Sequence, residues 1–163
     1  MIKKISSKKK SYNGAIVLGL NDAIVESSGA LVGLTFALVQ SNLIATAGLI
    51  TGIAAALSMA ASEYLSAKEE GHENPFKASV YTGFTYLITV LILVIPYFIL
   101  ENTYLAGGIM LSLVILIIAG YTKYDSNLHK EKFSKKFAEM SYISLGIAIV
   151  SFLVGLLVRK LII

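Results

Sequence analysis

The sequence predicts an all-α integral membrane protein with five transmembrane helices, its N-terminus cytoplasmic and its C-terminus outside. Three observations carry that reading. The 163 residues are 56% hydrophobic and only 15% charged, more apolar and less charged than an ordinary soluble domain. The apolar residues form continuous charge-free runs and do not alternate, which favours spanning helices over a β-barrel. And the basic residues fall overwhelmingly on one side of the resulting layout. The length allows a single domain, residues 1–163.

The spans follow in order. Residues 1–11 form a basic arm with Lys3, Lys4, Lys8, Lys9 and Lys10. Such a tail could suggest nucleic acid, but a long apolar segment follows it, so a membrane flank is expected and no nucleic-acid partner. No charge occurs from residue 27 to 62, too long for one crossing of roughly 20 helical residues. The polar Gln40, Ser41 and Asn42 divide it into a first span at about 13–39 and a second at about 43–67. The third span is expected at about 76–100, with Asn74 as N-cap and Pro75 at the first helical position. Pro96 is expected to kink or end it. The fourth span is expected at about 102–122 and the fifth at about 139–159, joined by a basic cytoplasmic loop, 123–138. That loop reads as an interfacial helix anchored by Phe133 and Phe137, with His129 at its surface.

Orientation comes from lysine and arginine. With the N-terminus in the cytoplasm, the arm, Lys68 and Lys77, and Lys123, Lys130, Lys132, Lys135 and Lys136 all lie inside. Only Arg159 and Lys160 of the 14 basic residues lie outside. The first span is not expected to be a cleaved signal peptide, because Asp22 and Glu26 interrupt any apolar h-region and the stretch is too long.

An ionisable side chain within a span costs at least about 2.5–3.5 kcal/mol and normally faces a partner or a water-filled path. Asp22 and Glu26 are four residues apart, on one face of an α-helical first span. Met59 and Glu63 share the same spacing on the second. Counting from Tyr12 and Lys68 at the cytoplasmic interface, Glu63 lies about 7 Å deep, Met59 about 13 Å, Asp22 about 15 Å and Glu26 about 21 Å. If the two helices face one another, these four side chains form a ladder of ligands. Carboxylates suit hard divalent cations and a thioether softer ones, so the mixture points to a transition metal. Between the second and third spans, Glu69, Glu70, His72 and Glu73 form a candidate cation-collecting loop. Gly29 and Gly33 make a G-x-x-x-G face that permits close helix approach, including between subunits. No cysteine is present, so thiolate metal sites are excluded. No phosphate loop, nucleophile elbow or metalloprotease motif occurs, so no enzyme activity and no cofactor are expected.

The stretches LGLNDAIVESSGALVGL and GLITGIAAALSMAASEYLSAKEE, in five-span context, resemble the vacuolar iron transporter family. The first resembles its N-D-G-L-V pattern through Asn21, Asp22, Ala23, Ile24 and Val25. The second resembles S-M-A-x-G-E-Y-x-S through Ser58, Met59, Ala60, Ala61, Ser62, Glu63, Tyr64, Leu65 and Ser66. The resemblance implies a homodimer with a metal path between the two pairs of first and second helices. It implies export of Fe2+ or Mn2+ from the cytoplasm in exchange for protons, with Asp22, Met59 and Glu63 at path positions. The membrane would be the cell membrane in a prokaryote and a vacuolar or other organelle membrane in a eukaryote. Ala23 and Ser62 replace glycines of the pattern, and Glu26 stands where the family has a small or apolar residue. Glu26 is therefore the candidate for a further metal site or for the counter-moving proton. The long metal-binding insert of many members is absent between the second and third spans, leaving a short member. The alternative from another class is a non-transporting scaffold or partner subunit that keeps the fold.

Overall fold

The computed structural model describes residues 12–129 and 132–162, with the side chains of 125, 127–129 and 162 excepted. The basic arm, Lys130 and the His129 side chain lie outside that description. Five helices are each long and apolar enough to cross a membrane. They are α1 (Asn13–Ala37), α2 (Ser41–Glu69), α3 (Pro75–Ile99), α4 (Thr103–His129) and α5 (Phe133–Ile162). No strand occurs among the described residues. Valine and isoleucine abound in these segments, yet they are helical because hydrocarbon leaves backbone groups no partner but their own chain.

The helix ends follow from local chemistry. α1 stops where Leu38 turns extended, and Ser41 and Asn42, expected in the break, already belong to α2. Ser41 Oγ donates to the Glu101 carbonyl at 3.1 Å, and Thr103 Oγ1 donates to the Val39 carbonyl at 3.0 Å. The α1–α2 and α3–α4 connections are thereby tied together at one end of the bundle. α2 ends in a Schellman motif: Gly71 N–H bonds the Lys68 carbonyl and His72 N–H the Ala67 carbonyl. Gly71 takes φ +72°, the left-handed conformation this cap requires. Asn74 caps α3 as expected, accepting from Lys77 N–H at 2.9 Å with Pro75 beside it.

Two expectations change. α3 passes through Pro96 and ends only at Ile99, so the proline does not terminate it. The segment 123–138 is mostly helical, as read, but not as a separate interfacial helix: α4 runs on to His129 and α5 already begins at Phe133. That stretch has no glycine or proline, and its lysines are good helix formers that continue a helix beyond the apolar run. Phe133 and Phe137 stack with centroids 5.5 Å apart on the first turns of α5.

Packing centres on α3, which lies along both α1 and α2. Its buried residues Tyr86, Val90, Leu93, Val94 and Tyr97 form the middle of the core with Ile24, Leu31 and Ile44. α1 and α2, expected to face one another, touch only sparsely, because α3 fills the angle between them. The other flank of α1 lies on α5, and there Gly29 and Gly33 find their use. A Cβ on Gly29 would meet the Ile147 side chain, and one on Gly155 would strike the Gly33 backbone. The small-residue face thus seats a helix of the same chain. Burial separates the roles: 50% of the apolar window of α1 is enclosed, against 11% for α5. α1 is central and α5 peripheral.

Candidate metal pathway

α1 is not a uniform α-helix. Residues Asn13–Asp22 and Ser28–Ala37 are α-helical, and Ala23–Ser27 between them form a π turn. A π turn closes through i→i+5 hydrogen bonds, so four residues fall short of a full turn. Asp22 and Glu26 nonetheless line different spaces. Asp22, half-buried, lines a cleft of about 430 Å³ between α1 and α5, with Val17, Asn21, Val25, Met140 and Ile143. Glu26, exposed, lines a small cavity of about 40 Å³ between α1, α2 and α3, with Ser27, Thr51, Gly52 and Tyr86. The two carboxylates remain near enough for their charges to act on one another.

Glu26 is held from α3. The fully buried Tyr86 donates its hydroxyl to Glu26 Oε2 at 2.7 Å, and Ser27 Oγ donates to the Tyr86 oxygen at 3.5 Å. A second tyrosine repeats the arrangement three turns further along: the Tyr97 hydroxyl and Thr35 Oγ1 are 2.6 Å apart. Neither tyrosine was singled out by the sequence, although a tyrosine deep in an apolar span needs a partner for its O–H. What the sequence lacks is which helix supplies that partner.

On α2, Met59 is half-buried and packs against the main core. It is not among the residues lining the Asp22 cleft. Glu63, also half-buried, lines a third cleft of about 310 Å³ with Tyr12, Gly14, Ala15, Glu70 and His72. His72 Nε2 stands 3.5 Å from Glu70 Oε2. The Schellman turn is what folds the imidazole back toward α1. Glu69 and Glu73 are exposed and do not line this cleft, so the four-residue loop cluster divides, with Glu70 and His72 joining Glu63. Gly14 lines both this cleft and that of Asp22, so the two clefts flank one glycine of α1.

The ladder read from the sequence is thus spread over separate places within one chain. Asp22 faces α5, Glu26 faces α2 and α3, Met59 is in the core and Glu63 is at the α2 end. One reason is that α3 separates α1 from α2. Among the described residues, no three His, Asp or Glu side chains converge closely enough to hold an ion.

Five spanning helices with carboxylates inside the apolar segments define an integral membrane protein whose polar groups line clefts between helices. A family model described as the VIT family matches residues 13–72 and 68–156. The chain belongs to the VIT family, and so to a family of membrane metal-ion transporters, not of enzymes. No curated protein matches it.

Proposed function

We propose that this chain exports Fe2+ or Mn2+ from the cytoplasm in exchange for protons, acting as a homodimer with its N-terminus inside. The observation that carries the proposal is Asp22, a carboxylate in mid-span on a cleft large enough for an ion and its remaining waters. The cleft that holds Glu63, Glu70 and His72 shares Gly14 with it. Cations would gather there and pass along α1 to Asp22. The lysine asymmetry supports this end as the cytoplasmic mouth.

The dimer is supported by Glu26. A carboxylate exposed at this depth cannot rest against lipid at acceptable cost, so the face that bears it needs cover. The adjoining face of α2 is small and polar, with exposed Thr51, Ala54, Ser58, Ala61 and Ser62, and suits close approach of a second copy. Pairing there would bring Met59 and Glu26 of the two copies towards a shared path, with Glu26 as the carrier of the returning proton. The test is metal flux in proteoliposomes. Asp22→Ala is expected to abolish it and Met59→Ala to reduce it; variants as active as the parent would favour a non-transporting scaffold instead.

A further inference from the structure

The first and fourth helices separate towards one end of the bundle. The second half of α1, Ser28–Ala37, packs on α4, whereas the first half, Asn13–Asp22, barely touches it. Between them lies a cleft of about 280 Å³. Its walls are two helix faces of matching period: Asn13, Ile16 and Leu20 on α1, and Ile117, Tyr121 and Tyr124 on α4. The helices run antiparallel, so Asn13 and Tyr124 stand at the mouth, with Leu20 and Ile117 at the inner end. Polarity and exposure follow the same gradient. Asn13 and Tyr124 are open, whereas Leu20 and Ile117 are half-buried. Each wall runs roughly 10 Å along its helix, against about 15 Å of hydrocarbon in one leaflet, half of the bilayer core.

Charge at this end is divided between two sectors. Around the α2–α3 turn, positions 63–77 hold Glu63, Glu69, Glu70 and Glu73 against Lys68 and Lys77, formally −2. Positions 123–136 hold Lys123, Lys130, Lys132, Lys135 and Lys136 against Asp125 and Glu131, formally +3. Lys123 is next to Tyr124, and Lys123, Lys132 and Lys135 are exposed. The arm before α1 carries five more lysines and no apolar run, so it adds to this charge and does not suit the cleft. The basic sector repels the cations that the acidic one attracts, and suits a phosphate.

We propose that the α1–α4 cleft seats one anionic phospholipid, its acyl chain between Leu20 and Ile117 and its phosphate at the mouth, near Lys123 and the lysines that open α5. The site goes beyond metal transport and stands whether or not the chain moves an ion. The acyl chain completes the packing that α1 and α4 leave open, and headgroup charge supplies the selection. Tyr121 and Tyr124 lie where interfacial aromatic residues anchor membrane helices.

The chain has no tryptophan, so Tyr124→Trp places a single fluorophore at the mouth. Phe76→Trp, at an exposed position in the first turn of α3, places one at the same end beside the acidic sector. Each full-length variant is reconstituted in mixtures of phosphatidylcholine with phosphatidylglycerol brominated on its acyl chains, and quenching reports the relative binding of the two lipids. Phosphatidylglycerol is expected to be preferred about fivefold or more at Tyr124→Trp and by less than about twofold at Phe76→Trp. Adding Lys123→Gln, Lys132→Gln and Lys135→Gln to Tyr124→Trp is expected to remove at least about half of its preference. Equal preference at the two positions, or a preference untouched by loss of the lysines, overturns the inference. So does heparin binding that needs the same lysines in a protein without lipid preference, which assigns the basic sector to a soluble polyanion.

Discussion

Tyr86 shows how much one side chain settles. Its hydroxyl takes a hydrogen bond from Ser27 and gives one to Glu26, so a fully buried group on α3 holds the π turn of α1 in register. Tyr86→Phe removes the hydroxyl and keeps the ring. Interhelical hydrogen bonds in membranes average about 0.6 kcal/mol and reach about 1.7. This one ends on a carboxylate, so a loss of about 1–2 kcal/mol is expected, measured by equilibrium unfolding in mixed micelles. The side-chain chemistry was legible: Asp22, Glu26 and Glu63 stand out because charge is costly in an apolar run. Their grouping was not, since hydropathy does not say which neighbouring helix each carboxylate meets.

At the scale of helices, the contact between α1 and α5 depends on absent side chains. A Cβ on Gly155 would collide with the Gly33 backbone, which has no rotamer by which to yield. Gly155→Ala is expected to destabilise by about 1–3 kcal/mol, the usual cost of overpacking. Gly146 lies on the same helix with nothing within 4 Å of an added Cβ. Gly146→Ala should be neutral or gain up to about 1 kcal/mol through helix propensity, and thermal unfolding of the two variants checks the contrast. The number, order and approximate limits of the spans were legible, because length and charge set them. The Asn74–Pro75 start of α3 was legible too, because a cap is local chemistry. The helicity of 123–138 was legible, but not its continuity with the flanking spans, because the membrane boundary was taken as the helix boundary and lysine-rich sequence propagates a helix in water as well.

For the whole molecule, the arrangement of helices decides which residues can work together. α3 stands between α1 and α2, so a path using both must be completed from outside the single chain. In the proposed dimer, exposed Glu26 and the small polar face of α2 mark where. The chain has no cysteine, so a single Ser58→Cys substitution gives a clean probe. Oxidation in native membranes is expected to yield a disulfide-linked dimer through Ser58→Cys, whereas Leu153→Cys on the exposed face of α5 should not. Equal cross-linking at both positions would remove the support for a defined interface at α2. No residue pattern specifies that α3 intervenes, because every span is apolar on several sides and hydropathy does not choose neighbours.

The central claim is that Asp22 carries a divalent metal through the membrane against protons. The most direct measurement is uptake of Fe2+ or Mn2+ into liposomes containing the purified protein under an imposed proton gradient. The account predicts gradient-dependent uptake that Asp22→Ala abolishes in correctly folded protein. Uptake by Asp22→Ala equal to that of the parent would contradict it.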